Sequence, residues 1–65
     1  MNLAMKWIDD LRGTDSIREV SRKAGIPQPT LARQVNNDQL TFESVRDISR
    51  AYGRSALADL IALGY

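Results

Sequence analysis

Apolar residues recur along this chain at helical spacing in five stretches, with a glycine or a polar cluster between one stretch and the next. The first stretch sets Ala4, Trp7, Ile8 and Leu11 at i, i+3, i+4 and i+7, the stripe of an amphipathic helix. Asn2 is placed to cap its start and Gly13 to end it in the left-handed conformation, and Trp7 reads as a core anchor. The second stretch, Ser16 to Ala24, puts Ile17, Val20, Ser21 and Ala24 on one face. Ser16 or Asp15 can cap it, and Glu19 stands at capping-box spacing from Ser16. Arg18 and Arg22 lie within about 40° of each other on a flank away from that stripe. Gly25 stops the helix.

The third stretch opens Ile26-Pro27-Gln28-Pro29. Proline disfavours helical backbone in the residue before it, so Gln28 is predicted outside the helix and Pro29 in its first turn. Leu31 and Val35 form a buried edge, with Pro29, Arg33 and Asn36 on the other side, and the turn-like run Asn36-Asn37-Asp38 ends it. The fourth stretch runs from a Thr41 cap through Phe42, Val45, Ile48, Ser49 and Tyr52 to Gly53. The fifth starts at Ser55 and is apolar from Ala56 to Leu63 except for Asp59. No strand pattern, repeat or linker interrupts the series. The fold class that follows is all-α, a compact five-helix bundle, with residues 1–65 as a single domain.

Length and composition narrow what such a bundle can do. A chain of 65 residues buries only roughly 60% of the surface its unfolded form exposes. With no cysteine and no histidine, neither a disulfide nor a familiar zinc site is available, so helix packing must supply the stability. No stretch reaches the roughly 20 apolar residues of a membrane span, and Met1 to Lys6 lacks the pattern of a signal peptide, so a soluble, cytoplasmic protein is expected. Catalysis is not expected either. There is no glycine-rich phosphate loop and no nucleophile–base pair, and the adjacent Asp9 and Asp10 diverge by about 100° on a helix. No cofactor, metal or small-molecule substrate is anticipated.

The net charge of +1 hides an uneven distribution. From Leu11 to Val35 five basic residues face two acidic ones, +3, whereas each flank stands at −1. Seven of the nine basic residues are arginine, the side chain suited to bidentate contact with phosphate and guanine. A helix of about eight residues, a glycine, a short turn and a second short helix make a helix-turn-helix over about 16–36. Small residues must line such a crossing, and Ser21 and Ala24 do so. Gly25 supplies the left-handed turn at little steric cost. Ile26 closes the wedge, while Leu31 and Val35 hold the second helix from behind.

The run from Ile17 to Val35, above all Ala24-Gly25-Ile26 and Thr30-Leu31-Ala32-Arg33, resembles the Cro/repressor (lambda-repressor-like, XRE) helix-turn-helix family. Leu40 to Val45 and Ile48 to Gly53 resemble that family's fourth helix. The likeness covers residues 15–53 well, and is strongest to immunity repressors of actinobacterial phages. Two departures bear on contacts. Ile17 stands where many members carry a DNA-holding glutamine, which passes that contact to Ser16 or Arg18. Val35 takes the role of an apolar anchor that often falls at the position of Gln34.

The resemblance implies sequence-specific binding of double-stranded DNA by a transcriptional repressor of the phage-immunity type, with residues of about 28–36 in the major groove. Carried over, the base-contacting residues are Gln28, Pro29, Thr30, Arg33 and Asn36. Arg33 can reach guanine O6 and N7, Gln28 can bracket adenine N6 and N7, and Pro29 can meet a thymine methyl. Gln28 could equally serve as a cap, and Thr30 could touch phosphate. The phosphate-contacting residues are Ser16, Arg18, Arg22, Asn37 and Gln39. Lys23 reads as solvated, and Arg46, Arg50 and Arg54 as surface partners of Glu43 and Asp47. The competing readings are a helical protein-interaction module or, among DNA binders, an antitoxin or a Cro-like regulator.

The fifth stretch adds one expectation. Leu57, Leu60, Ile61 and Leu63 spread around much of the circumference, and a helix apolar nearly all round is usually buried on more than one side. Together with the ending at Gly64-Tyr65, this predicts the N-terminal part of a longer protein. A further C-terminal segment, or a second copy, would then pack on Leu60 and Leu63.

Overall fold

Each helix but the third starts on a side chain that the sequence marks as its cap. In the computed structural model, which describes residues 2–65, α1 spans Leu3–Arg12, with Asn2 Oδ1 accepting from the Met5 amide at 2.9 Å. Ser16 caps α2 (Ile17–Ala24), Thr41 caps α4 (Phe42–Ala51) and Ser55 caps α5 (Ala56–Ala62), each side-chain oxygen accepting the amide three residues on. The helix α3 (Gln28–Asn36) instead starts on Pro27 without a side-chain cap. No strand occurs among the described residues. The five helices fill a body of 25 × 24 × 20 Å, in which α4 packs on both α2 and α5, and α3 on α2 and α1.

The core follows the predicted stripes. Ile8, Val20, Leu31, Val35, Val45 and Ile48 are almost wholly hidden from solvent, and Trp7 closes the cluster from α1. Leu40, in the loop before α4, joins them although no periodic stripe includes it. The ends of α1 and α3 are tied together. The Asn2 amide Nδ2 donates to the Val35 carbonyl, and the Ala4 amide donates to Asp38 Oδ1 at 2.8 Å. Asp38 has a positive φ of 53°, a conformation asparagine and aspartate tolerate better than most residues.

Several details depart from the sequence reading. Gln28 is helical, because the first backbone bond of α3 runs from the Leu31 amide to the Pro27 carbonyl and encloses it. Pro27 and Pro29 lack amides that a first turn would leave unpaired anyway, so both fit there. Gly13 has positive φ but ψ −119°, outside the left-handed helical region, whereas Gly25 sits in it with φ 72° and ψ 27°. Phe42 is not core: at the first position of α4 it is 51% exposed, while Ser44 turns inward. Leu60 faces the core from α5, and Leu63, just past its end, packs half-buried against the core while lining shallow surface depressions. The apolar surface α5 does expose is Leu57, 69% exposed, and Ile61, 66% exposed.

The lone charge of α5 is buried and paired. Asp59 is 5% exposed, takes two bonds from the Arg54 guanidinium at 2.8 and 2.9 Å, and accepts from Ser49 Oγ at 2.8 Å. The Arg54 contact, aided by Ser49 and the nearby Trp7 indole, holds the Asp59 carboxyl down at about 2 against the opposing effect of burial. The Trp7 Nε1–H itself falls short of hydrogen-bond geometry with any partner. A carboxyl depressed from 3.8 to about 2 on folding contributes stability that is complete above about pH 4 and drains away as pH falls toward 2. With Arg54 partly solvated, that contribution is about 1–2 kcal/mol. Urea titrations from about pH 5 to about pH 2 are expected to show this loss, and Asp59→Asn is expected to flatten it.

Candidate nucleic-acid interface

The second and third helices are joined by Gly25, Ile26 and Pro27. Gly25 donates its amide to Arg22 O at 3.3 Å, and the Ile26 amide reaches Ser21 O at 3.0 Å, a left-handed cap that turns the chain sharply out of α2. Ser21 lies buried on the crossing side of α2, its hydroxyl donated back to Ile17 O at 3.0 Å. A larger polar side chain there would have to desolvate without a partner. Ile17, Ala24 and Ile26 pack half-buried around the junction. Leu31 and Val35 then fix α3 to the core along one edge.

That anchoring turns the opposite edge of α3 to solvent. Gln28, Pro29, Arg33 and Asn36 are exposed, and Thr30 is half-buried at their margin. No hydrogen bond or ion pair within the chain engages the side chains of Gln28, Arg33 or Asn36 among the described residues. Gln28 makes no capping bond, so the capping role open to it in the sequence is not taken. Gln34 is half-buried, its Oε1 accepting from the Thr41 amide at 3.4 Å, which leaves Val35 as the second anchor.

At the start of α2, Ser16 is exposed, and Arg18 has no hydrogen-bond or ion-pair partner among the described residues. The Ser16 oxygen accepts from the Glu19 amide at 3.2 Å, and the first backbone bond runs from Val20 to the Ser16 carbonyl. The Ile17 and Arg18 amides are therefore left at the helix end, where the backbone favours an anion. The Glu19 side chain does not close the capping box. It turns to Arg22, with Nε–Oε1 3.2 Å and Nη2–Oε2 2.8 Å. Each member holds the other charged: the Arg22 contact lowers the Glu19 pKa and the Glu19 contact raises that of Arg22.

Beyond α3 the turn is more closed than the sequence suggests. Asn37 donates its amide to Arg33 O at 3.1 Å and Gln39 donates its amide to Gln34 O at 2.8 Å. Both side chains are exposed, so only those, and not the backbone amides, face solvent as donors.

Lys23, expected to be solvated, is part of a cross-helix cluster. Its Nζ lies 2.6 Å from Asp15 Oδ2 and 5.2 Å from the centre of the Tyr52 ring, and the Tyr52 hydroxyl donates to the same Asp15 oxygen at 2.7 Å. Lys23 and Tyr52 lower the Asp15 pKa, while burial, then Asp15, push the Tyr52 phenol up to about 12. The cluster locks both ends of α2 to the end of α4. Arg46 pairs with Asp47 as predicted, but Arg54 pairs with Asp59, and Arg50 has no ion-pair partner among the described residues.

No protein-family profile, curated protein or solved structure matches the chain. Its chemistry must therefore be read from the surface itself. Among the described residues no group of three carboxylates gathers as a metal site, and no helix is long and apolar enough to cross a membrane. Shallow depressions of about 160–280 Å³ lie along α1 and against α5, smaller than the roughly 300–1,000 Å³ of ordinary ligand pockets. The exposed residues of α2 and α3, Pro29 aside, are polar and basic instead.

Proposed function

We propose that this chain binds double-stranded DNA sequence-specifically as a transcriptional repressor, α2 and α3 forming a helix-turn-helix with α3 in the major groove. The observation that carries the reading is the outer edge of α3. Arg33 stands there exposed and unpaired between Pro29 and Asn36, while Leu31 and Val35 hold the helix rigidly from behind. A major groove about 12 Å wide admits one helix, and guanidinium and amide groups match base edges there. Gln28, Arg33 and Asn36 read bases in this arrangement, Pro29 meets a methyl group, and Thr30 lies at the margin toward the backbone. Ser16, Arg18 and the side chains of Asn37 and Gln39 flank it as phosphate contacts.

Selection of bound duplexes from a random pool tests the reading. Recovery of one enriched motif is expected, and a pool that stays random would reject sequence-specific binding. Arg18→Ala is expected to weaken every duplex similarly and to flatten the salt dependence by about 0.9 in log–log slope, as loss of one phosphate contact requires. A loss confined to one base position would make Arg18 a base reader.

A helical protein-interaction module has one observation in its favour, the exposed pair Leu57 and Ile61 one turn apart on α5. Large exposed apolar groups are unremarkable singly and informative when contiguous. The two roles use different faces, so mapping the bound surface separates them.

A further inference from the structure

Arg22 carries a basic charge on the exposed flank of α2, one turn from Arg18, yet the two arginines differ in one respect. Arg18 is unpaired among the described residues, whereas Arg22 is held by both carboxylate oxygens of Glu19. The pair is open to water, with the Arg22 side chain 67% exposed. Exposed pairs at this spacing add little to folding stability. Their larger consequence here is electrostatic. A carboxylate presents to a guanidinium the same two-oxygen edge that a phosphate does. Glu19 therefore occupies the donors with which Arg22 would grip a backbone phosphate, and places a negative charge beside it.

Resting on the DNA-binding reading, we infer that Glu19 is an intramolecular stand-in for phosphate that holds Arg22 out of the interface and keeps affinity low. Arg22 lowers the Glu19 pKa further below its ordinary value, so the carboxylate facing the guanidinium keeps its charge near neutral pH. A chain bound in this way reaches its site with Arg18 on α2 and Arg33 on α3 as the free arginines of those two helices. It gives up uniform affinity for all DNA, while the discrimination made by α3 is untouched. The contrast with Lys23 is informative. That ammonium is also held by a carboxylate, Asp15, but the same carboxylate accepts from Tyr52 and ties α2 to α4, so its pairing has a structural role. Among the described residues no third side chain bonds to Glu19 or Arg22.

Glu19→Gln keeps the shape and removes the charge. Titrations of a short mixed-sequence duplex, over a series of salt concentrations, should show it binding about three- to ten-fold tighter than the original chain, with a slope steeper by about 0.9 for the added phosphate contact. Preference among duplexes should not change. In an Arg22→Ala background the same substitution should leave the slope unaltered, because no guanidinium is there to release. Circular dichroism melts confirm that both variants fold. Unchanged affinity and slope in Glu19→Gln would overturn the inference while leaving DNA binding intact. An equal gain in both slope and affinity without Arg22 would also overturn it, showing a general field effect of the carboxylate. Failure of the original chain and of Glu19→Gln to bind any duplex would overturn the DNA-binding reading and this inference with it.

Discussion

Leu31→Ala is expected to cost most of the stability of this domain. Leu31 is fully buried and is the first residue by which α3 grips the core. Removing its three outer carbons forfeits their transfer free energy and leaves a cavity that neighbours fill only partly, a loss of about 2–5 kcal/mol in comparable sites. A domain of 65 residues has only about 3–10 kcal/mol in total at ordinary stability per residue. The thermal midpoint should therefore fall by about 10–30 °C, or the cooperative transition should vanish. Melting followed by circular dichroism measures it. A shift of a few degrees would mean that α3 is not anchored through Leu31, and the exposure of its opposite edge would lose its explanation.

Arg33→Ala should do the reverse. Its side chain is exposed and makes no hydrogen bond or ion pair among the described residues, so folding stability should stay within about 0.5 kcal/mol. Affinity for the selected duplex should fall by about 10- to 100-fold, equivalent to about 1–3 kcal/mol, and preference should relax at one base pair. Affinity for unrelated duplexes should fall far less. Competition titrations with each single-base variant of the selected site resolve the two effects. A uniform loss across all sequences would make Arg33 a phosphate contact, and an unchanged affinity would remove α3 from the interface. The pair of substitutions thus separates the residue that holds the helix from the residue that reads with it.

The helices and most of their inward faces were legible in the sequence because both signals are local. Asn2, Ser16, Thr41 and Ser55 cap the amide three residues on, a relation visible in the order of residues alone. Leu31 and Val35 on one side of α3, with Pro29, Arg33 and Asn36 on the other, follow from helical period. What the sequence left hidden depends on distant partners or on choices between near-equal faces. On α5 apolar residues ring the helix, so period could not tell that Leu60 turns in while Leu57 and Ile61 turn out. Asp59 stands in the sequence only as the lone charge of an apolar run, and its burial rests on Arg54 across the turn and Ser49 on α4. Likewise Lys23 finds Asp15 and Tyr52 only once α2 and α4 are packed, and Glu19 chose Arg22 over the amide that a capping box would offer. In the candidate site the exposed edge was therefore predictable, and the pairing that decides which arginines are free was not.

The central claim is that DNA is bound by the edge of α3 and the start of α2. Amide chemical-shift mapping of the labelled chain, titrated with the selected duplex, tests it most directly. Saturable shifts are expected at Ser16 to Arg18 and at Gln28 to Asn37, with α5 unmoved. Shifts gathered on Leu57 and Ile61, or none that saturate, would contradict it.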